Sequence, residues 1–288
     1  MTLSKLANLY IISRPLSHDY AKLILITAAR FEAATGVVDI RKIDVEAIGR
    51  YLLWLRRFTA SSHTQAGYIR RLYSLLRFAQ ECGYIRKLPP KPKIKCARRT
   101  PHAWGLDEFQ RLYRVANCLQ GRVGVQLARL WWPTLIAVAY HTGSRIGALL
   151  KVKWRDIDLK KGFIVLRAEN SKTKSEQIFK LPDYVIAKIK ELQWPKRELV
   201  WEWPHCRRHF FTTFRKKIAR PANLEPLPGE HFGLFHKIRR TAASLAAAQA
   251  GIAAAQTLLG HTSAKTTIEH YVDPRIASGG SVILPSLE

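Results

Sequence analysis

The chain has 288 residues, with 48 Lys plus Arg against 21 Asp plus Glu, a formal net charge of +27 and a pI near 10.4. With 47% apolar residues it can bury a core without disulfide or metal staples, which excludes an intrinsically disordered chain. So large an excess of positive charge repels itself unless a polyanion neutralises it, and the polyanion that best fits is nucleic acid. A membrane surface would call for a basic amphipathic helix or a lipidation signal, and neither is legible.

Read in chain order, residues 1–90 present a bundle of helices. A helix is expected over His18–Thr35, stopped by Gly36, and a second is capped by Asp44 and runs through Ile48, Leu52 and Leu55. Ser62 is the expected cap of a third, in which Ile69, Leu72, Tyr73 and Leu76 recur at helical spacing before Gly83. Arg70, Arg71 and Arg77 decorate that helix as candidate DNA contacts. Pro89, Pro90 and Pro92 then interrupt any helix, and Lys91, Lys93 and Lys95 make residues 91–103 a basic linker suited to a phosphate backbone.

Residues 104–288 form a second region. Helices are expected at Asp107–Leu119 and Trp131–His141, the latter apolar nearly all round and therefore buried. Gly143 stops it and Ser144 is the expected cap of the next, carrying Ile146, Leu149 and Leu150. Phe163–Leu166 and Gln177–Leu181 read as strands joined by the polar turn Glu169–Ser175. Further helices are expected at Asp183–Leu192, His205–Ala219, His236–Ala250 ending at Gly251, Ile252–Leu259 and Ser263–His270. The fold class is thus mainly α, with a small antiparallel β-sheet in the second region. The four cysteines form no CxxC pair and read as reduced thiols; His205, Cys206 and His209 lack the second ligand cluster a zinc site requires.

Four fragments stand out together: His-Thr-Gly-Ser-Arg at 141–145, Ser-Lys-Thr at 171–173, His-Lys-Ile-Arg at 236–239, and Leu-Gly-His at 259–261 followed by Tyr271. In this order and spacing the chain resembles the tyrosine recombinases, or phage-type integrases. The resemblance implies a two-domain architecture: a helical core-binding (SAM-like) DNA-binding domain over 1–90 and a mixed catalytic domain over 104–288. It implies catalytic roles for Arg145, Lys172 (with Lys174 its rival), His236, Arg239 and His261, and a nucleophilic role for Tyr271. It further implies a site-specific recombinase, double-stranded DNA as partner, a homotetramer during synapsis, and a cytoplasmic, nucleoid-associated protein of a mobile genetic element. No metal and no other cofactor is called for.

The chemistry agrees with the residue types. Cleaving a phosphodiester concentrates negative charge on two non-bridging oxygens, which planar, permanently charged arginines bind in bidentate fashion. Arg145, near a helix start, is expected to add the positive end of a helix dipole. The HxxR spacing places His236 and Arg239 on adjacent turns of one face. A phenol is a poor nucleophile at neutral pH unless cations stabilise its phenolate. Lys172 is placed to protonate the leaving 5′-hydroxyl. The 3′-phosphotyrosyl bond would conserve the energy needed to rejoin the strand without ATP or metal.

Two departures stand out. The family's acidic residue three positions after the first arginine is here Ala148, which weakens the expected support of Arg145. The step from His261 to Tyr271 is one residue longer than expected. A type IB topoisomerase-like enzyme and a non-catalytic DNA-binding protein of the same fold are the alternatives. The apolar part of Ser281–Leu287 is a candidate segment for docking on a neighbouring protomer.

Overall fold

A computed structural model describes residues 1–97, 100–170, 175–192, 197–225 and 233–277. Its contacts divide the chain into two compact units, Met1–Arg99 and Thr100–Glu288.

The first unit is helical: α1 (Leu3–Ile12), α2 (His18–Thr35), α3 (Val45–Phe58) and α4 (Ser62–Glu81). One device starts all four. Thr2, Ser17, Asp44 and Ser61 each accept a backbone N–H three residues on, satisfying a donor the helix itself leaves unpaired. The cap of α4 is therefore Ser61, one residue before the expected Ser62. Helix α1 was not anticipated, although Leu3, Leu6, Ala7 and Tyr10 lie buried at helical spacing. Gly36 ends α2 at φ 71°, as expected. The core joins Leu6, Ile24, Phe31, Tyr51, Leu55, Leu72 and Leu76.

The candidate DNA contacts in this unit separate into two kinds. Arg70 and Arg77 are exposed on α4. Arg71 is half-buried, donates from Nε to Thr27 Oγ1 at 2.9 Å and lies 4.7 Å over the Tyr68 ring. It bolts α4 to α2, an internal duty the sequence pattern does not announce. The basic segment is not a free tether. Ile94 packs against the core, the Tyr73 hydroxyl donates to Pro90 O at 2.7 Å, and His63 Nε2 lies 3.0 Å from Ala97 O. Exposed Lys91, Lys93 and Lys95 alternate with half-buried Pro92, Ile94 and Cys96.

The second unit begins with α5 (Leu106–Asn117), the short hairpin β1 (Arg122–Val123) and β2 (Gln126–Leu127), and α6 (Ala128–Thr142). Then follow α7 (Ile146–Leu149), β3 (Ile157–Asp158), β4 (Phe163–Leu166), β5 (Gln177–Lys180) and α8 (Asp183–Glu191). The unit closes with α9 (Arg207–Phe214), a π-helical turn (Arg215–Ala219), α10 (Leu234–Leu259), α11 (Ala264–His270) and α12 (Pro274–Ala277). The sheet is antiparallel in the order β3-β4-β5, with Ile157 opposite Ile164 and Ile164 opposite Phe179. It has one strand more than expected, because two residues are too few to show alternation. The expected helix His205–Ala219 starts at Arg207 and widens into the π turn.

Helix α6 is the central element, buried continuously from Trp131 to Ala139. Trp131, Trp132, Phe210, Phe214 and Ile238 join its core, and Trp201 Nε1 donates to Thr134 Oγ1 at 3.1 Å. Helix α10 is long and apolar enough by length and composition to cross a bilayer. It is instead broken at Ala250 and Gly251, where Gly251 takes φ 78°, as the expected stop there implied. Ala243, Ala247, Ala255 and Leu259 pack with Tyr271 and Val272, so its small residues let the two arms close on the tyrosine.

Two left-handed glycines shape that closure. Gly143 ends α6 at φ 58° and Gly260 ends α10 at φ 61°. A Cβ on Gly143 would stand 3.1 Å from Leu259 and 3.2 Å from Leu258. Gly143→Ala is therefore expected to destabilise the protein by about 1–2 kcal/mol, through left-handed strain and this tight contact. Urea unfolding of the two proteins measures it.

Candidate active site

The site is assembled from the ends of α6, α10 and α11. Arg145 immediately precedes α7 in an extended conformation (φ −75°, ψ 140°), and its carbonyl accepts the Ala148 and Leu149 amides. The residue starting α7 is thus Arg145 rather than the expected Ser144, whose hydroxyl lies 3.5 Å from Thr142 O. Because α7 spans only Ile146–Leu149, the helix dipole expected to assist Arg145 is small. No described residue forms an ion pair or side-chain hydrogen bond with Arg145, and Ala148 supplies no carboxylate.

Arg239 is buried and grips three elements. Its guanidinium donates to the Gly143 carbonyl, to Leu259 O at 3.0 Å and to His261 Nε2 at 3.0 Å. Its Nε is buried with no described partner. Burial and the neighbouring Arg145 push its pKa down to about 10, so it remains a cation at neutral pH. The Arg239 guanidinium carbon lies 5.0 Å from the Tyr271 ring centroid, a cation–π distance, and the nearby Tyr271 favours its charge.

The two histidines complete a cup around the Tyr271 ring, with His261 at 4.7 Å and His236 at 5.5 Å between centroids. His261 accepts from Arg239 at Nε2, so its Nδ1 carries the proton and donates to Thr267 Oγ1 at 3.0 Å. Burial, with Arg239, Arg240 and Arg145 nearby, pushes His236 down to about 3. Burial, with Arg239, Arg145 and His270 nearby, pushes His261 down to about 4. Both are therefore neutral at pH 7.

Tyr271 caps the C-terminus of α11 and is 9% exposed. Its amide donates to Thr267 O at 3.0 Å. The longer step from His261 thus still brings the tyrosine against both histidines, because α11 turns it inward over buried Thr267. The structure brings together Arg145, His236, Arg239, His261 and Tyr271. Lys172 and its rival Lys174 lie outside the described residues, as does Ser281–Leu287. His205, Cys206 and His209 are all exposed, and among the described residues no group of three potential ligands is arranged to hold a metal ion. A cavity of about 380 Å³ lined by Leu106, Phe109, Tyr113, Tyr140 and Tyr184 contains none of these residues. Arg207, Arg208, Lys216 and Lys217, exposed on α9 and its π turn, form a basic surface that no motif along the chain marks.

A cation cluster with no paired anion among the described residues opposes its own folding. Arg145→Gln is expected to raise the melting temperature of the DNA-free protein by about 2–4 °C, the shift that ~1 kcal/mol gives in a unit of this size. The histidines set a pH dependence. Unfolded, each takes up a proton near its ordinary value of 6.5; folded, they resist to about 3 and 4. Their neutral burial leaves stability intact above about pH 6.5, and stability is lost as pH falls toward those values. The DNA-free protein is expected to melt at lower temperature at pH 5 than at pH 7, and His236→Gln to shrink that difference.

The family model described as the phage integrase family matches residues 106–277. A candidate tyrosine recombinase of Pseudomonas syringae, XerC, is 24% identical over 310 residues, covering 95% of this chain and 62% of that protein. The prophage integrase IntR of Escherichia coli K12 is 33% identical over 106 residues, 36% of this chain and 23% of its own length. The chain thus spans less than two thirds of both relatives. Among solved structures, a lambda integrase dimer bound to a COC′ core site is similar with a TM-score of 0.72 at 17% identity, covering 100% of this chain and 99% of that one. The Tn1549 transposon integrase in complex with transposon right end DNA gives 0.73 at 16%, covering 94% and 95%. These likenesses establish the mainly helical fold, and the family model covers more than half of the sequence. The chain belongs to the phage integrase family, whose members include the tyrosine recombinases.

Proposed function

We propose that this protein is a site-specific DNA recombinase that cleaves and rejoins strands through a covalent bond between Tyr271 and a DNA 3′-phosphate. The observation carrying this reading is the Tyr271 ring held among Arg239, His236 and His261 beside Arg145, with no described carboxylate to neutralise them. A phosphodiester is the anion that such a set would take.

In this reading the Tyr271 oxygen attacks phosphorus, the 5′-oxygen leaves with the bonding pair, and the phenolic proton is released. Arg145 and Arg239 balance the charge that grows on the non-bridging oxygens. His236 and His261, neutral without DNA, orient those oxygens or move protons once the phosphate is bound. Lys172 protonates the departing oxygen. The reverse attack, by a 5′-hydroxyl of the partner strand, restores the phosphodiester and frees Tyr271.

DNA is grasped by exposed Arg70 and Arg77, by the row Lys91, Lys93 and Lys95, and by the basic face of α9. Alternate residues of an extended chain stand ~6.6 Å apart, so the three lysines can follow successive phosphates on one strand. The DNA-bound dimer of lambda integrase, and its tetramer on a Holliday junction, support synapsis by four copies of this chain. Acting on DNA places the protein with the nucleoid in the cytoplasm.

Ala148 favours a second reading, a DNA-binding protein of the same fold with little or no cleavage activity. One experiment separates the two. A site is selected from a random-sequence duplex pool by binding, then nicked so that cleavage traps the protein on DNA. The unaltered protein is expected to form a covalent adduct, and Tyr271→Phe to bind the same duplex within about twofold but form none. Adduct in the Tyr271→Phe protein would remove that residue from the role; binding without adduct by the unaltered protein would establish the second reading.

A further inference from the structure

Asp273, two residues beyond Tyr271, is completely buried and has a role the cleavage chemistry does not use. Its carboxylate accepts the Ala103 amide at 2.9 Å and the Arg275 guanidinium at 2.9 and 2.6 Å. Burial opposes its ionisation, yet these donors hold it below the usual carboxylate range. Its own amide donates to Ser244 Oγ at 2.9 Å, and the same hydroxyl lies 3.4 Å from Tyr271 O. Ser244 is on α10, one and a half turns beyond Arg239.

The Ala103 contact belongs to a longer strap. Residues 102–104, just inside the point where the chain enters the second unit, are pinned at each position. His102 Nδ1 lies 2.8 Å from Lys237 Nζ, and the Trp104 amide donates to Thr241 Oγ1 at 3.0 Å. Lys237 and Thr241 flank Arg239 on α10 and are buried, and Lys237 Nζ lies 5.7 Å over the Trp104 ring. The strap therefore bonds to the helix that carries His236 and Arg239 and to the turn that carries Tyr271. Asp273 joins it to the tyrosine's turn.

We propose that Asp273 is a positioning residue, which fixes the backbone of Tyr271 by docking the 102–104 strap beside it. Tyr271 ends α11, where its amide and that of Val272 share Thr267 O as acceptor, so one carbonyl of the helix holds the backbone of the turn. The carboxylate, Ser244 and the strap add bonds on both sides of that turn. Misplacement of a reacting group by ~1 Å costs about 100-fold in rate, so a loosened turn would slow cleavage without weakening DNA binding.

This inference rests on Tyr271 being the nucleophile, and its test has a readout that does not. Asp273→Asn weakens the carboxylate, and Ala103→Pro removes the donor from the strap while leaving Asp273 in place. Hydrogen exchange is followed at the amides of Tyr271, Val272 and Asp273 in the full chain, and adduct formation on the nicked duplex is timed with protein in excess. In each variant, exchange at those three amides is expected to quicken by at least tenfold. Adduct formation is expected to slow by at least tenfold, with DNA affinity within about twofold. The double variant is expected to be no worse than the worse single one, because both cut one bond. Unchanged exchange at the three amides in the folded single variants, or effects that multiply in the double variant, would overturn the proposal. An unaltered protein that forms no adduct would sink the recombinase reading, and the exchange rates would still decide whether Asp273 positions Tyr271.

Discussion

Arg239 is a buried cation with no carboxylate paired to it among the described residues, and much of the second unit is arranged around that fact. Such a charge is costly unless its donors find acceptors, and its two terminal nitrogens do. The acceptors it finds are the carbonyls that end two helices, Gly143 after α6 and Leu259 at the end of α10, together with His261. Each of these three stands next to another candidate site residue. Gly143 leads into Arg145, Leu259 leads into Gly260 and His261, and His261 faces Tyr271. One guanidinium therefore fixes the relative placement of four chain segments, and the left-handed glycines at 143 and 260 present the carbonyls to it. Deleting it would leave acceptors buried and unpaired as well as removing a charge.

The same arrangement explains why both histidines are neutral. His261 can accept from Arg239 only through an unprotonated Nε2, and its Nδ1 proton then has Thr267 as its acceptor. His236 is held neutral by burial among three arginines. A bound phosphodiester reverses the sign of the local field and raises the proton affinity of both rings. On the proposed reading the histidines become acid–base groups only once a phosphodiester is bound, while the free protein avoids two further charges in a cluster already rich in them.

Much of this was legible in the sequence, for identifiable reasons. Gly36, Gly143 and Gly251 mark helix ends because only glycine accepts those backbone angles cheaply, and all three stops were anticipated. The apolar run of α6 announced its burial. The five residues of the cup were identified by their order, but no pattern along the chain reveals that Arg239 turns inward to carbonyls or that Arg71 bolts two helices. Those facts depend on neighbours 20 to 96 residues away, such as Thr27 for Arg71 and Gly143 for Arg239. Short elements escaped for a different reason: strands of two residues, such as β1, β2 and β3, are too brief to alternate. Helix α1 was legible and overlooked, since Thr2 caps a clear 3, 6, 7, 10 pattern.

Ala148 looks like a defect beside the family pattern, yet the geometry shows what takes over part of its duty. A carboxylate there would hold Arg145 from its own helix turn. Here the loop bearing Arg145 is held instead through its backbone, by the Arg239 bond to Gly143 and by the carbonyl of Arg145 starting α7. The backbone is fixed, but the Arg145 side chain keeps its donors uncommitted among the described residues. Two consequences pull in opposite directions. An uncommitted guanidinium gives up no existing ion pair when a phosphate arrives, which favours binding. It also enters with its rotamer freedom intact, so ordering it costs more than it would for an arginine already braced. The first effect acts on affinity and the second on how often the bound arginine stands where the transition state needs it. On the proposed reading, the Ala148 position therefore spares DNA binding and weighs on the cleavage rate.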